Sequence, residues 1–272
     1  MIDLIVSQGR VADREPRMIE GAARTAQALE HRYGIKGRYI GKAEPPANDD
    51  WSVSLPQARE TLVGLRQAVT ASVEGGNLTV MIANTCSASL ASLPIVAREH
   101  PDAVVLYIDA HGDFNTPETT DTGYLGGMVL SAACGLWDSG HGAGLRPEQV
   151  ILIGARDIDE AERKLLQTSG VRVVPPREAT AENILNAVNG SRVWVHIDWD
   201  VLDPGSVPAD YKVPDGMFPE QIREIFKSIP SEQLLGVELA EFNAPADDKS
   251  AAEAVSIILD MVAPAFEAAQ AR

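Results

Sequence analysis

The stretch "VVLYIDAHGDFNTP" (residues 104–117) decides how the rest of the chain is interpreted. Five apolar or β-branched residues, typical of a strand buried on both faces, are followed at once by Asp109, His111 and Asp113. In parallel α/β sheets, ligands bind at the carboxyl ends of the strands. We therefore predict that a strand ends near residue 109 and presents carboxylates and an imidazole to a binding site.

Seven further apolar runs alternate with segments whose apolar residues recur at the three- and four-residue spacing of amphipathic helices. This alternation predicts an α/β fold with a mostly parallel sheet and helices on both faces, and a closed barrel is the alternative. The predicted strands are 2–7, 37–41, 78–83, 103–109, 150–155, 171–174, 192–198 and 234–240. The predicted helices lie near 16–33, 57–73, 87–100, 159–168, 178–189, 218–228 and 250–269.

The segment "KAEPPANDDW" (42–51) is rich in Pro and Asp and is predicted to be the longest loop. The sequence shows no internal repeat, low-complexity block or convincing linker. The chain is long enough for one large α/β core. We therefore predict that residues 1–272 form a single domain.

The composition limits the partners of this protein. The formal net charge is -16, and 45% of the residues are apolar. An acidic chain is a poor match for nucleic acid or an anionic membrane, because both need a cationic surface. No apolar run is long enough to span a bilayer. Two cysteines, Cys86 and Cys134, do not make a disulfide framework, so we expect a cytoplasmic protein.

Two more acidic clusters follow predicted strands. Asp198 and Asp200 follow the seventh strand, and Glu241 follows the eighth. Side chains two positions apart on a strand point the same way, so Asp198 can share a pocket with Asp200, and Asp109 with His111. Carboxylates at this density repel unless protons or cations intervene. Each motif alone is compatible with a turn or a helix cap. Together they favour divalent ions such as manganese, and their number favours two ions that share ligands.

These motifs resemble those of a known family. "DAHGDFNTP" (109–117) and "HIDWDVLDPGSVPA" (196–209) resemble the paired metal motifs of the ureohydrolase family, which includes arginase and agmatinase. "ILIGARDID" (151–159) resembles a further family segment, and "ELAEFNAP" (238–245) resembles the motif whose glutamate holds the guanidinium group. The resemblance implies a three-layer α/β/α sandwich with an eight-stranded, mostly parallel sheet. It also implies two Mn²⁺ ions per chain and a small guanidino amino acid as substrate.

The resemblance also implies the metal ligands. Two aspartates would bridge the ions, and each ion would take further ligands of its own. The implied set is Asp109 and Asp198 as bridges, Asp113 on one ion, and His111 and Asp200 on the other.

Roles in catalysis and substrate binding follow from the same resemblance. Glu241 would hold the guanidinium group, and Asp113 would carry a proton to the leaving nitrogen. Asn115 and Thr122 would bind the α-carboxylate of the substrate, and Asp159 its α-amino group. Ordinary structural roles remain open for the last three, because Asn and Thr are common in loops and Asp159 can cap a helix.

One departure from the family pattern concerns a metal ligand. Family members have a ligand histidine in a G-G-D-H-S motif after the third strand, whereas this chain has "IANTCSAS" (82–89). Cys86 stands in the histidine's place. A buried cysteine commonly serves only as a small hydrophobe, but a thiolate also binds divalent metals. We expect Cys86 to be a ligand.

A second departure concerns the mouth of the site. The family has a histidine that arginase uses in proton transfer, and here Gly126 replaces it. The glycine is expected to leave open space that a hydroxyl group on the substrate can occupy. Tyr124 and the segment "PADYKVPDGM" (208–217) also differ from arginase. These features resemble a branch of the family that hydrolyses Nω-hydroxy-L-arginine to hydroxyurea and L-ornithine in D-cycloserine biosynthesis.

Three alternatives stay open at this point. The first is an arginase acting on L-arginine, and the second is a metal-dependent deacetylase with a related α/β fold. The third is a non-catalytic protein that binds guanidino compounds. The sequence leaves the number of subunits open and is compatible with a homo-oligomer.

Overall fold

The computed structural model describes residues 1–271, and within them eight strands form one open sheet in which every pairing is parallel. The eight-stranded α/β prediction is therefore confirmed, and the closed barrel is excluded. The strands are β1 (Ile2–Ser7), β2 (Gly37–Ile40), β3 (Leu78–Ile82), β4 (Val104–Ile108), β5 (Val150–Ile153), β6 (Arg172–Val174), β7 (Val193–Asp198) and β8 (Leu234–Ala240). Their order across the sheet is β2-β1-β3-β8-β7-β4-β5-β6.

Helices cover both faces of the sheet and complete three layers. The helices are α1 (Met18–Tyr33), α2 (Trp51–Glu74), α3 (Leu93–Glu99), α4 (Val129–Ala133), α5 (Glu160–Ser169), α6 (Ala181–Val188), α7 (Pro219–Ser228) and α8 (Asp248–Gln270). Buried residues of α1, α6, α7 and α8 belong to one apolar cluster, and those of α2, α3, α4 and α5 to the other. Among residues 1–271, no helix is both long and apolar enough to cross a membrane.

Strand β7 shows how the sequence distributes its side chains between the two layers. Val193, Val195 and Ile197 pack in the first cluster, and Trp194 packs in the second. This alternation follows from the period of two along a strand. It places Asp198 on the same face as Trp194, the face covered by α2, α3, α4 and α5.

The helix predictions differ from the structure in three places. Helix α2 begins at Trp51, six residues before the predicted start, although Pro56 lies inside it. The Asp50 side chain accepts a hydrogen bond from Ser52 N and caps this helix. The predicted helix near 87–100 is a 3₁₀ turn at Cys86–Leu90 followed by α3. Helix α4 was not predicted, because its five residues are too few to show a period.

The topology brings four acidic or sulfur-bearing sequence segments to one place. Strands β3, β8, β7 and β4 are neighbours in the middle of the sheet. Their carboxyl ends lead into Cys86, Glu241, Asp198 and Asp109, respectively. Residues far apart in sequence therefore meet at one edge of the sheet, as expected for a ligand site in a parallel α/β fold.

Candidate metal centre and active site

The predicted metal ligands converge in two adjoining sets. In the first, Cys86 Sγ lies 3.2 Å from Asp198 Oδ2 and 4.0 Å from Asp109 Oδ2. In the second, His111 Nδ1 lies 2.9 Å from Asp200 Oδ2 and 3.5 Å from Asp109 Oδ1. The donor atoms of Asp109, His111 and Asp200 lie close enough together to bind one cation. Cys86 forms one such group with Asp198 and Glu241, and another with Asp109 and His196. Asp109 belongs to both sets: its Oδ2 faces Cys86 and its Oδ1 faces His111, as expected for a carboxylate that bridges two ions.

Asp113 and Glu241 both reach the site from strained backbone. Their φ angles are 49° and 64°, in the left-handed region that residues other than glycine rarely adopt. Tyr107 donates a 2.6 Å hydrogen bond from its hydroxyl to Asp113 Oδ2. Glu241 Oε1 accepts from the Cys86 backbone N–H at 2.8 Å and from the Tyr124 hydroxyl at 3.3 Å. Both carboxylates are thus held by buried donors on one oxygen.

The electrostatics of the site are those of crowded, buried anions. Burial raises the pKa of Asp113, Asp198, Asp200 and Glu241, and neighbouring carboxylates raise these pKa values further. Burial, followed by the charge of Asp198, likewise raises the pKa of the Cys86 thiol. The polypeptide alone therefore disfavours the ionised forms of these groups.

His111 is the exception, because its surroundings favour a positive charge. Burial opposes the protonated imidazole, but the hydrogen bonds and the negative charges of Asp109 and Asp200 together outweigh burial and raise the pKa of His111. A cation bound between Asp109 and Asp200 would neutralise the same negative charges that the His111 imidazolium neutralises.

The donor set fits a divalent metal. Cys86, Asp109, Asp198 and Asp200 are each at most 5% exposed, and buried charges are stable only when they are paired or coordinate a metal. Carboxylates with one imidazole suit a hard-to-borderline ion, and the thiolate tolerates a softer one. The chain therefore provides the binding chemistry that a metal-dependent hydrolase needs.

A cavity of about 230 Å³ opens beside the centre, and the predicted substrate contacts line it. Asn115 Nδ2 donates to Asp159 Oδ2 at 2.8 Å, so these two side chains fix one another. Asp159 Oδ1 also accepts from Glu162 N at 2.9 Å and caps α5, the structural role that the sequence left open. Thr122 lines the same cavity, and its hydroxyl accepts from the Tyr124 backbone N–H at 3.2 Å.

The expectation of open space at Gly126 is wrong. A Cβ built on Gly126 would lie 2.5 Å from Tyr124 Cε1, so the tyrosine ring fills the volume beside the glycine. Tyr124 is 8% exposed, and the Arg14 guanidinium lies over its ring at 4.3 Å from the centroid. The mouth histidine of the family is thus replaced by a phenol ring that another residue supplies, rather than by a void.

Three other side chains that sequence reasoning did not single out line the cavity: Glu162, Asp157 and Tyr211. Glu162 Oε1 accepts from Phe114 N at 2.8 Å, and burial raises the pKa of Glu162 to about 7. Glu162 follows the helix-capping Asp159 by three residues, which is the spacing of a capping box, and this spacing could have identified it from the sequence. Tyr211 packs edge-on against His111 with a centroid distance of 5.0 Å. Local sequence patterns cannot predict this contact, because the two residues are far apart in the chain.

Comparison with known proteins agrees with this geometry. Residues 2–263 match the Arginase family, and the chain belongs to that family. It is 73% identical over 272 residues, the full length of both chains, to the N(omega)-hydroxy-L-arginine amidinohydrolase of Streptomyces lavendulae. It is 27% identical to the arginase of Bacillus caldovelox, over 93% of this chain and 90% of the relative. The ureohydrolase resemblance is confirmed, and the deacetylase alternative is set aside.

Solved structures support the fold. The Entamoeba histolytica arginase structure, determined in complex with L-ornithine, superposes with a TM-score of 0.84. The alignment covers 96% of this chain and 97% of that one, at 19% sequence identity. The three-layer α/β sandwich therefore persists although most of the side chains differ.

Proposed function

We propose that this enzyme hydrolyses Nω-hydroxy-L-arginine to hydroxyurea and L-ornithine. The observation that carries the proposal is the 73% identity over full length to an amidinohydrolase named for that substrate. The arginase matches are more distant, at 27% identity for the Bacillus caldovelox enzyme. The residues at the mouth of the cavity agree, because Gly126 and Tyr124 replace the arrangement that arginase uses.

The proposal includes two Mn²⁺ ions per chain. Cys86, Asp109, Asp113 and Asp198 would hold one ion, and His111, Asp200 and the two bridging aspartates the other. Bound metal ions supply the electrostatic activation of water and of the substrate carbon that hydrolysis at neutral pH needs. The two adjoining donor sets that share Asp109 support the count of two.

Glu241 is proposed to hold and orient the substrate guanidinium. Its Oε1 is already held by Cys86 N–H and Tyr124 OH, so Oε2 remains to accept a charge-assisted hydrogen bond. The left-handed backbone at Glu241 and its burial fix the direction of this oxygen. A fixed acceptor orients the guanidino carbon toward the metal centre.

Asp113 is proposed to move the proton. The water oxygen becomes the carbonyl oxygen of hydroxyurea, and the bond from the guanidino carbon to the δ-nitrogen breaks. One water proton ends on that δ-nitrogen and the other on the amide nitrogen of hydroxyurea. Asp113 lines the cavity, and the Tyr107 hydroxyl holds its Oδ2 at 2.6 Å, which leaves Oδ1 to accept and release the proton.

The amino-acid end of the substrate is proposed to contact Asn115, Thr122 and Asp159. All three line the cavity, and the Asn115–Asp159 hydrogen bond holds two of them in place. Asp159 would accept from the α-ammonium group, and the amide and hydroxyl would donate to the α-carboxylate. This arrangement predicts that agmatine, which lacks the carboxylate, is a poor substrate.

The direct test compares Nω-hydroxy-L-arginine, L-arginine and agmatine under one manganese concentration. Hydroxyurea, urea and L-ornithine are quantified, and kcat/KM is measured for each compound. We expect at least a tenfold preference for the hydroxylated substrate, which corresponds to about 1.4 kcal/mol of differential transition-state binding. A preference for L-arginine supports the arginase alternative. Binding without turnover of any of the three supports a non-catalytic guanidino-binding protein.

The remaining proposals concern context. Residues 1–272 are proposed to act as a single domain in the cytoplasm, and both cysteines are free, as expected in a reducing compartment. The hydroxyurea is proposed to serve D-cycloserine biosynthesis. In a producing strain, loss of this enzyme should abolish the antibiotic, and added hydroxyurea should restore it.

A further inference from the structure

Beneath the proposed metal centre lies a set of buried polar side chains that the proposed mechanism does not use. Ser89, Glu238 and His196 are each 0% exposed. Glu238 Oε2 accepts from Ser89 Oγ at 2.6 Å and lies 2.9 Å from His196 Nδ1. The other ring nitrogen, His196 Nε2, lies 3.4 Å from Cys86 Sγ. We call Ser89, Glu238 and His196 the buried relay.

The relay is rigid. His196 and Glu238 are direct partners in the parallel pairing of β7 with β8. The ring of Tyr107 stacks on the imidazole with a centroid distance of 4.1 Å and an interplanar angle of 7°. Ser89 lies in the 3₁₀ turn that also carries Cys86. Strand pairing thus holds His196 beside Glu238, stacking on Tyr107 fixes the plane of the imidazole, and one turn carries both Ser89 and Cys86.

The relay contacts the sulfur from behind. Cys86 lines the substrate cavity, whereas His196 is fully buried beneath it. Asp198, which does line the cavity, places Oδ2 at 3.2 Å from the same sulfur. The sulfur therefore contacts both a buried imidazole outside the cavity lining and a carboxylate of the centre.

A cysteine ligand needs such support more than a histidine ligand does. A histidine that binds a metal through one nitrogen is oriented by a hydrogen bond from its other ring N–H. Cysteine has no second polar atom through which a neighbour can orient it. Any group that fixes the position of Cys86 Sγ must contact the sulfur itself, and His196 Nε2 is in place to do so.

We propose that the buried relay positions Cys86 for metal binding. Glu238 Oε2 accepts from Ser89 Oγ and from His196 Nδ1–H and so orients the ring. His196 then donates from Nε2–H to the sulfur as an imidazolium whose charge Glu238 balances. This inference rests on the part of the proposed function that makes Cys86 a ligand. Donation to a thiolate withdraws electron density from the sulfur and so sets the strength of its bond to the metal. His196 is thus a positioning residue that acts through Cys86.

The test replaces manganese with Co²⁺, because a cobalt–thiolate bond gives a charge-transfer absorption band in the near ultraviolet. Loss of this band in Cys86→Ser assigns it to the sulfur. Glu238→Gln and His196→Gln should shift the band and weaken cobalt binding about tenfold. Ser89→Ala should shift it less. The matched control is Ser72→Ala, which should leave the band in place. It also removes a buried serine hydroxyl, but that hydroxyl pairs with Thr79 at 2.8 Å.

Circular dichroism of the metal-free variants reports folding independently of metal. If Glu238→Gln and His196→Gln fold and keep the band energy and cobalt affinity of the wild type, the proposal is overturned. If His196→Gln instead loses one equivalent of cobalt while Glu238→Gln has no effect, His196 is itself a ligand, and the positioning role is equally overturned. Should His196→Gln fail to fold, an unchanged band in Ser89→Ala and Glu238→Gln would refute the relay. Turnover of Nω-hydroxy-L-arginine is measured separately, so failure of the proposed substrate is distinguishable from failure of the relay.

Discussion

The ring of Tyr124 occupies the volume that a side chain at Gly126 would need, since a Cβ built there would lie 2.5 Å from Tyr124 Cε1. Real Cβ atoms do not approach other heavy atoms so closely, so residues 124 and 126 are sterically coupled. The hydroxyl of the same tyrosine lies 3.3 Å from Glu241 Oε1. One aromatic residue therefore shapes the mouth of the cavity and also contacts the carboxylate proposed to bind the guanidinium.

The first prediction tests this coupling. Gly126→His is expected to lower the free energy of unfolding by about 1–3 kcal/mol, because the imidazole overpacks against Tyr124. Adding Tyr124→Ala should restore stability and shift the ratio of kcat/KM toward L-arginine. Urea denaturation and substrate kinetics measure the two effects. Gly127→Ala is the matched control, since an added methyl there meets open space. A Gly126→His variant as stable as the wild type would contradict the coupling.

The second prediction concerns Asp198. Elemental analysis of manganese-reconstituted protein should give about two ions per chain. Asp198→Asn should lose metal and activity. Without metal the same variant should be more stable than the wild type, because it removes a carboxylate whose pKa is raised by burial and by Asp200. Asp157→Asn is the control, since that carboxylate is 67% exposed at the cavity rim. Full metal content in Asp198→Asn would refute the ligand assignment.

The third prediction concerns Cys86. Sulfur is a softer donor than imidazole, so Cys86→His should retain more manganese during dialysis. The larger ring must displace His196, which lies 3.4 Å from the sulfur, so some stability should be lost. Cys134→Ser, at the other free cysteine, should change neither metal content nor rate. If Cys86→Ser also changes neither, Cys86 serves only in packing.

The fourth prediction is a pH dependence of stability in the metal-free protein. Burial raises the pKa of Glu162 from 4.5 to about 7, so the folded state binds this proton more tightly than the unfolded state. Its contribution is fully present below pH 4.5 and is lost as the pH rises through about 7, a loss of about 3 kcal/mol. Glu162→Gln should remove this loss of unfolding free energy between pH 4.5 and 7.

Denaturation at several pH values measures the effect. Glu160→Gln, at an exposed position in the first turn of the same helix, is the matched control and should retain the wild-type slope. Equal pH slopes for wild type and Glu162→Gln would show that Glu162 does not carry the effect.

The sequence predicted all eight strands and the edge of the sheet where the site lies, because buried parallel strands form continuous apolar runs and their carboxyl ends bind ligands. The sequence predicted that Asp109 lies beside His111 and Asp198 beside Asp200, because residues two positions apart on a strand point to the same face. The start of α2 was missed because Pro56 disfavours a helix interior, whereas in the structure the helix begins at Trp51, capped by Asp50, and runs through Pro56.

Contacts between distant segments could not be predicted from the sequence. The fit of Tyr124 beside Gly126 depends on how the loop after β4 folds back on itself, and local spacing does not record such a fit. The approach of His196 to Cys86 joins residues 110 positions apart. His196 and Asp198 are two positions apart on β7 and so share a face. The sulfur that His196 contacts lies just after β3, two strands away in the sheet.

The place of β8 in the sheet has a consequence for how the protein is made. Of the eight strands that residues 1–271 form, β8 comes last in sequence, yet it lies in the middle of the sheet, between β3 and β7. Until residues 234–240 have left the ribosome, those two neighbours have no partner on their facing edges. Unpaired, apolar edges are prone to aggregate. A nascent chain that stalls before β8 is therefore expected to need chaperones, and a chain that ends before residue 234 should fail to form the whole sheet rather than lose a single strand.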